Sequence, residues 1–436
     1  MPKIDTSATP AWRWLACCGV KLLKEKDYLL LGARVWESGN DSLSPLSSPL
    51  RVREDRIVAV GPAALEGASE AHRLELPGRV IVPGLIDAHV HLELDPVLRT
   101  PAEQLAVPEP DRIAAMEARG RAMLFAGITT ARDCGGGRHR EHALRARIDA
   151  GLVRGPRLLC CGQPLTSPAG HCSFWGAEVS TPDEIARAVA RQIEAGSDWI
   201  KLMATGGIFT PGSRARDTQF EQTAMQSVVA AAARAGRSVA AHCHGTRGIA
   251  AAVRAGARTI EHASFAGEKG FATELDESLM REMAQTGVWV SPTVNAGWGR
   301  RIVDEQGEPT DFFLRMSRCL RSQRAQGVRF IASTDAGIPG VAHPDLLDGL
   351  VAFAHFAALR PVDALRAATS EAATALGIAD RTGSIEAGLS ADLLVVESDP
   401  LVDLEALRDP EVVVFRGEWL DRSVRGGGPI LADAAR

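Results

Sequence analysis

The chain has 436 residues, 45% of them hydrophobic and 24% charged, which is ordinary globular composition and enough for one large domain with a smaller one attached. The formal net charge of −5 gives no reason to expect a nucleic-acid partner. No apolar run reaches the length of about 18 residues that a membrane-spanning helix needs. We therefore expect a globular protein with neither nucleic acid nor membrane as a partner.

The eight cysteines form no Cys-x-x-Cys motif, and four of them occur as two adjacent pairs. This pattern is neither a zinc ribbon nor a disulfide framework. We expect free thiols packed as small apolar side chains, and a cytoplasmic location. The mildly apolar residues 11–20 are interrupted by Arg13, so we reject a signal peptide there.

Both ends of the chain have β character. Residues 1–26 are polar and predict a loose N-terminal arm, whereas residues 28–36, 49–53 and 56–61 predict strands. Residues 382–397 and 411–415 predict further strands that complete the same unit. We therefore predict a small β-sandwich domain built from residues 27–82 and 382–436.

The middle of the chain alternates between apolar runs and helical segments rich in Ala, Arg and Glu. Eight strands are predicted, near residues 80–90, 127–134, 157–162, 199–205, 238–244, 259–263, 288–294 and 329–335. The helical segments include residues 111–126, 182–195, 222–235 and 274–286. This alternation predicts an α/β fold, a (β/α)8 TIM barrel over residues 83–381, with its active site at the carboxyl ends of the strands.

Titratable side chains lie at the carboxyl ends of five of these predicted strands. His89 and His91 are two residues apart and therefore point to one face of a strand, which is a metal-binding geometry. The strand ends that follow carry further candidates, namely Lys201, His242 with His244, His262 and Asp335. Because strand ends meet in this fold, the sequence predicts a metal site there.

These segments resemble the amidohydrolase superfamily over nearly the whole chain beyond residue 27. Three motifs carry the resemblance, Pro83-Gly-Leu-Ile-Asp-Ala-His-Val-His91, Thr334-Asp-Ala-Gly337 and Gly383-Ser-Ile-Glu-Ala-Gly-Leu-Ser-Ala-Asp-Leu393. Other motifs are similar to the branch with imidazolonepropionase-like, Xaa-Pro dipeptidase-type and ochratoxinase-type enzymes, namely Gly127-Ile-Thr-Thr-Ala-Arg-Asp133, Ile200-Lys-Leu-Met-Ala-Thr-Gly-Gly207, His242-Cys-His-Gly245 and Ile260-Glu-His262. We read Arg132 and Asp133 as a structural pair beneath the site.

The resemblance implies two divalent metal ions, for which we expect zinc, although N/O sites also accept manganese, iron or cobalt. His89 and His91 bind the more buried ion, His242 and His262 bind the other, and Asp335 binds the first. Lys201 bridges both ions as an N6-carboxylated lysine. A lysine between cations is readily neutral, and carbon dioxide then converts it to a carbamate with one oxygen for each ion.

The implied chemistry is hydrolysis of an amide or peptide bond by a hydroxide that bridges the metals. Asp335 is the candidate general base, and His244 the candidate donor to the substrate carbonyl. Four loop residues are further candidates for the substrate pocket, namely His171, Arg214, Arg216 and His343. For the two arginines, the favoured interpretation is a solvated loop, and pairing with a substrate carboxylate is the alternative. We also expect a homo-oligomer.

Other functions remain open at this point. One alternative is a hydrolase of lactones or carbamates, which uses the same metals. Another is a deaminase or cyclic C–N hydrolase, whose mononuclear members carry a glutamate where this chain has Gly245. A scaffold without catalysis is disfavoured because all six ligand positions are filled.

Overall fold

Six short strands precede residue 84, namely β1 (Asp27–Leu31), β2 (Arg34–Val35), β3 (Leu50–Arg53), β4 (Arg56–Val60), β5 (His72–Glu75) and β6 (Val80–Pro83). The computed structural model describes residues 26–44 and 48–420. The predicted arm, except Lys26, lies outside the described residues, as do residues 421–436. The polar β5 was not predicted, because His72–Glu75 has only one apolar residue.

Eight strands follow, namely β7 (Leu85–Val90), β8 (Ile128–Asp133), β9 (Arg157–Cys160), β10 (Trp199–Met203), β11 (Ser238–Gly245), β12 (Thr259–Ala266), β13 (Trp289–Ser291) and β14 (Arg329–Phe330). The predicted strand over residues 80–90 is divided at Gly84 between β6 and β7. A Cβ at Gly84 would lie 2.1 Å from the Thr129 hydroxyl, so only glycine allows β8 to approach this closely.

Helices separate the eight strands, with bounds Pro101–Ala106, Glu109–Phe125, Arg140–Asp149, Pro182–Glu194, Gln222–Arg234, Thr246–Ala255, Glu277–Thr286, Ala296–Gly299 and Asp311–Ala325. Three more follow β14, namely Leu346–Ala357, Pro361–Ala367 and Ser370–Leu376. The start of Pro182–Glu194 shows why they begin where they do. The Thr181 hydroxyl accepts from the Glu184 amide, Glu184 reaches back to the Thr181 amide, and Pro182 occupies the first turn.

The eight strands pair in parallel as two sheets, β7-β8-β9 and β10-β11-β12-β13-β14. Backbone hydrogen bonds cross both junctions between the sheets. At one, the Leu165 amide donates to Lys201 O at 2.9 Å, and at the other the His91 amide donates to Ala336 O at 2.8 Å. The eight strands thus do not form one continuous hydrogen-bonded sheet, because β14 ends at Phe330 and the chain beyond it pairs only through isolated bridges.

The described chain ends with β15 (Leu393–Val396), β16 (Val412–Phe415) and β17 (Glu418–Trp419). These strands form the sheet β17-β16-β15-β6-β2, whereas the first strands form the sheet β4-β3-β1-β5. One apolar cluster joins both sheets, with Tyr28 and Val52 from one and Ile81 and Val414 from the other. Of the predicted strand over residues 382–397, only β15 is a strand, and just before it Asp392 accepts hydrogen bonds from the Thr382 and Ser390 hydroxyls.

The cysteine prediction is confirmed for the described residues. Cys134, Cys160, Cys161, Cys172, Cys243 and Cys319 are buried free thiols, while Cys17 and Cys18 lie outside the described ranges. In the part of the chain that the structure describes, no helix combines the length and the apolar character that crossing a membrane requires.

Candidate metal centre

Four of the predicted ligands meet at the carboxyl ends of the strands. The Nε2 atom of His89 lies 3.3 Å from Nε2 of His91 and 3.1 Å from Nζ of Lys201. Both imidazole nitrogens lie 3.4 Å from Oδ1 of Asp335. Two nitrogen ligands of one tetrahedral zinc ion, each at about 2.0–2.1 Å, would be separated by about 3.3 Å. The two histidines therefore have the spacing of ligands to one ion.

The two remaining predicted ligands lie beside this group. Nδ1 of His242 is 2.8 Å from Nε2 of His262, and the His262 ring lies 5.3 Å from the His89 ring. His244 stacks on His262 at 4.4 Å with an interplanar angle of 18°. His242, His244 and His262 together offer ligand atoms close enough for one ion. The structure thus brings all six predicted ligand residues, and His244, into one cluster.

The outward-facing nitrogens of the four ligand histidines all have partners. His89 Nδ1 contacts Glu261 at 2.8 Å, and three further contacts are His91 Nδ1 to Gly135 O at 2.7 Å, His242 Nε2 to Gly206 O at 3.0 Å and His262 Nδ1 to Thr293 Oγ1 at 2.8 Å. A ring that donates outward turns the lone pair of its other nitrogen inward. Four inward imidazole nitrogens with a carboxylate and a lysine are a donor set that fits divalent metal ions once any proton on them is displaced.

Glu261 is the functional residue that the sequence did not reveal. Its fully buried carboxylate contacts His89, lies 2.8 Å from Nη2 of Arg132 and accepts from the Thr259 hydroxyl. Burial raises the pKa of Glu261, but Arg132 and His89 outweigh burial and hold the pKa far below its usual range. Glu261 is therefore an anion that orients His89 from beneath.

The predicted pairing of Arg132 with Asp133 is wrong. The Asp133 carboxylate accepts from the backbone amides of Leu92 and Gly135, whereas Arg132 pairs with Glu261. Neighbouring residues of a strand point to opposite faces, so Arg132 faces the site and Asp133 faces away. The alternation of side chains along a strand could have indicated from the sequence that Arg132 and Asp133 lie on opposite faces.

Two of the predicted ligands have unusual backbone conformations. His262 has φ of 67° and Asp335 has φ of 61°, both in the left-handed region that residues with side chains rarely adopt. The Asp335 amide donates to His89 O at 2.9 Å, which ties the two strand ends together. Strain of this kind concentrates at functional sites, where the surrounding structure enforces it.

Burial and neighbouring charges set the protonation of the cluster. Burial, with the neighbouring histidines, lowers the pKa values of His242 and His262 well below the usual range and that of His244 to about 3. Burial raises the pKa of Asp335, but His89 and His91 outweigh it and hold the carboxyl ionised. Three neutral imidazoles therefore lie near one carboxylate at neutral pH.

The four predicted pocket residues differ in position. His171 is buried with its ring 4.6 Å from that of His242, and its Nδ1 has no partner among the described residues. A Cβ at Gly207 would lie 2.4 Å from His171 Nε2, which explains the glycine after β10. His343 is buried and donates to His91 O at 3.1 Å, so it supports the backbone of a ligand.

Arg214 and Arg216, in the loop after β10, pair with acidic side chains. Arg214 contacts Asp217 at 2.8 Å, and Arg216 contacts Glu268 at 2.6 Å. Their backbones nevertheless lie near the cluster, because a Cβ at Gly245 would meet Arg216 O at 2.3 Å. Trp175 also lies beside the cluster, with its ring 5.3 Å from the His91 ring.

The fold is α/β, and titratable side chains gather at the carboxyl ends of its strands, which is where α/β barrel enzymes have their active sites. The chain belongs to the amidohydrolase family, whose model matches residues 80–420. It is therefore an enzyme, a hydrolase that acts on C–N bonds. The predicted resemblance is confirmed.

Individual relatives agree with this family. The chain is 29% identical to ochratoxinase of Aspergillus niger over 428 residues, which cover 89% of this chain and 86% of that protein. It is 25% identical to imidazolonepropionase of Micrococcus luteus over 398 residues, covering 81% and 88%. A crystal structure of a Xaa-Pro dipeptidase with bound methionine matches with a TM-score of 0.80 at 24% identity, covering 91% of this chain and 100% of that one. That structural likeness shows a shared fold.

Proposed function

We propose that the chain is a binuclear metal-dependent amidohydrolase that cleaves an amide or peptide bond. The observation that carries the proposal is the convergence of His89, His91, Lys201 and Asp335 within 3.4 Å contacts, with His242 and His262 beside them. The outer nitrogen of each of these histidines has a protein partner that fixes the ring, so the inward nitrogen is placed to bind a cation that displaces any proton on it.

In this proposal, His89, His91 and Asp335 hold one divalent ion, and His242 and His262 hold the other. Lys201 joins the two ions as a carboxylated lysine. The position of Lys201 supports this role, because the side chain is fully buried and its Nζ lies 3.1 Å from Nε2 of His89. Bound metal supplies Lewis acidity, lowering the pKa of water toward about 7 and polarising the scissile carbonyl. We expect zinc at both positions.

The side chains of the chain perform the remaining steps. Asp335, ionised at neutral pH, accepts a proton from the attacking water and passes it to the leaving amine. His244 is neutral, and its Nδ1 lies 2.9 Å from the Ser264 hydroxyl. The outer partner fixes the ring and directs Nε2 toward the substrate carbonyl, where it can stabilise developing negative charge. Buried His171 lines the chamber beside His242.

We also infer that the eight strands close as a (β/α)8 barrel over residues 83–381, with the two smaller sheets as a β-sandwich from residues 27–82 and 382–436. The hydrogen bonds at both sheet junctions and the apolar cluster shared by the smaller sheets support this division. A homo-oligomer in the cytoplasm completes the proposal.

The relatives support a choice of first substrates. Names such as ochratoxinase and Xaa-Pro dipeptidase favour N-acyl amino acids and dipeptides as the first substrates to test. A cyclic C–N substrate is the second candidate, because the chain is 25% identical to an imidazolonepropionase.

The test is amine release, followed by mass spectrometry, from a panel of N-acyl amino acids, dipeptides and aryl amides. Zinc-loaded and chelator-treated enzyme are compared side by side. We expect chelator-sensitive cleavage of one subset, which would identify the leaving group and the acyl preference. If no member is cleaved by enzyme with two metals per chain, the amide proposal is wrong, and lactones, carbamates and cyclic ureides are tested next.

A further inference from the structure

A second concentration of charge lies away from the candidate metal centre. A pocket of about 170 Å³ is lined by six residues, namely Asp55, Arg56, Arg157, Arg381, Ser390 and Arg416. The lining thus holds four arginines and one aspartate, and with Asp392 and Asp149, which pair with two of the arginines, four cations lie beside three anions. Such a lining has an excess of positive charge and of N–H donors, which is the composition of an anion site.

The pocket lies at the opposite end of the central strands from the metal cluster. Arg157 is the first residue of β9, and Cys160 is the last. A strand of this length spans roughly 13 Å, and the cluster lies beyond the carboxyl ends of the strands. The pocket is therefore separate from the proposed active site, and neither His244 nor any metal ligand lines it.

Arg157 and Arg416 are held in place by hydrogen bonds, but not all of their N–H donors have partners among the described residues. Nη2 of Arg157 donates to Ser390 Oγ at 3.0 Å and to Asp392 at 2.8 Å, and Nη2 of Arg416 donates to Asp149 at 2.7 Å. The Nε atoms of both arginines are buried without a partner among the described residues. A buried donor without an acceptor is costly, so an acceptor at this position would be favoured.

The two exposed arginines differ in their contacts. Arg56 donates to Gly388 O at 3.1 Å and lies 3.3 Å from the Asp55 carboxylate. No hydrogen bond or ion pair of the Arg381 side chain is described. Arg381 is therefore the cation of this lining that is most available to a ligand.

Backbone hydrogen bonds fix the walls of the pocket. The Ala391 amide donates to Asp55 O at 2.8 Å, and the Ile57 amide donates to Leu389 O at 2.9 Å. The Gly417 amide donates to Ala391 O at 3.0 Å. The β3–β4 turn, the segment before β15 and the turn after β16 are thus joined without a ligand. A preformed pocket loses little conformational entropy when it binds.

We propose that this pocket binds a phosphate-type oxyanion, either inorganic phosphate or the phosphate group of a small metabolite. Arginine forms paired, charge-assisted hydrogen bonds with such oxygens. The volume of about 170 Å³ is below the roughly 300–1,000 Å³ of pockets that enclose drug-sized ligands, so it suits one anionic group. This inference is independent of the proposed hydrolytic substrate.

The experiment is calorimetric titration of inorganic phosphate into the full-length, metal-loaded enzyme and into two variants. Arg381→Gln removes the unpaired cation of the pocket. Arg318→Gln is the matched control, because Arg318 is an exposed arginine of the helix Asp311–Ala325 and does not line the pocket. Phosphate that binds at the metal cluster contributes equally to all three proteins, so the difference between them reports on the pocket.

We expect Arg381→Gln to weaken phosphate binding by about tenfold or more, as for loss of one charge-assisted hydrogen bond. Arg318→Gln should bind as the unmodified enzyme does, and amide hydrolysis should be the same in all three. Equal affinities in all three proteins, or equal loss in both variants, would overturn the proposal. Absence of any phosphate binding would also overturn it.

A second titration, with glycerol phosphate, separates the two sources of the anion. Tighter binding than that of inorganic phosphate, lost in Arg381→Gln, would assign the pocket to a phosphorylated metabolite. Weaker binding of the ester would assign it to the free ion.

Discussion

The two halves of the candidate metal centre differ in what surrounds them. The carboxylate half, defined by His89, His91 and Asp335, has one acid among its ligands and the buried Glu261 behind it. The histidine half, defined by His242, His244 and His262, has only neutral outer partners. These are Gly206 O, Ser264 Oγ and Thr293 Oγ1.

If the proposed centre holds two ions, this difference predicts that it binds them with unequal affinity. Anions within and behind a site favour a cation strongly, whereas neutral imidazoles backed by neutral groups favour it less. We therefore expect the carboxylate half to retain its ion when the histidine half has lost its own. The lone pairs of the histidine half are available at neutral pH, because burial lowers the pKa of His244 to about 3 and those of His242 and His262 well below the usual range.

The largest effect is expected from Asp335→Asn. The amide keeps an oxygen that can contact metal, but it cannot accept the proton of the attacking water, so turnover should fall by about 10²- to 10⁴-fold. Metal content, measured by plasma mass spectrometry, should remain near that of the unmodified enzyme. Near-normal turnover in this variant would refute the role of Asp335 as general base.

Lys201→Ala should have the next largest effect, because it removes the only group that both halves share in the proposal. Metal content should fall, with greater loss from the histidine half, and activity should fall with it. Short carboxylic acids should restore part of both by replacing the carbamate. The matched control is Lys269→Ala, since Lys269 is exposed and outside the cluster. Full metal content and activity without added acid would exclude a bridging lysine.

Two variants test the comparison between the halves, because each changes one outer partner of a ring nitrogen. Glu261→Gln alters the anion behind His89, and Thr293→Val removes the hydroxyl behind His262. We expect Glu261→Gln to weaken metal binding by about 10- to 100-fold and Thr293→Val to weaken it less. Competition with a coloured chelator measures both affinities.

Glu261→Gln should also destabilise the fold, because it leaves the buried Arg132 guanidinium without its counter-charge. Breaking a buried pair in this way costs about 3–5 kcal/mol, which denaturant unfolding can measure. Equal effects of the two variants on metal affinity and on stability would show that the halves do not differ as we infer.

Glu261 also shows where prediction from the sequence ends. His89, His91 and Asp335 were predictable because each follows an apolar run whose end faces the active site in this class of fold. Glu261 lies inside such a run, next to His262, and its role depends on Arg132 of β8 reaching across from another strand. An ion pair between residues inside two different strands cannot be predicted from the sequence of either strand alone.

The loops show the same limit on a larger scale. Most predicted helices agree with the structure to within a few residues, as for residues 222–235 against Gln222–Arg234, because apolar periodicity and caps define them. Arg214 and Arg216 were predicted to lie in a solvated loop, with a substrate carboxylate as the alternative partner, and the sequence did not indicate that they pair with Asp217 and Glu268. The partner of a charged loop residue depends on which side chains lie near it in the folded protein, and the spacing of residues in the sequence does not indicate this.

The smallest expected effect is a difference between the halves in the pH dependence of metal binding. Burial and Lys201 lower the pKa of His89, but Cys134 and Asp335 outweigh them and raise it to about 9. In enzyme without metal, His89 therefore carries a proton at neutral pH that an ion must displace. The affinity of the carboxylate half should rise about tenfold per pH unit toward pH 9, whereas that of the histidine half should change little.

The same shift predicts the stability of the metal-free enzyme. Because the folded pKa of His89 is raised above its unfolded value, its charged form stabilises the fold below about pH 6.5. That contribution is lost as the pH rises through about 9. Thermal unfolding across this interval should therefore show falling stability without metal and little change with metal bound. A pH-independent affinity in both halves, with parallel unfolding curves, would mean that His89 is already neutral and that the anions around it do not distinguish the carboxylate half.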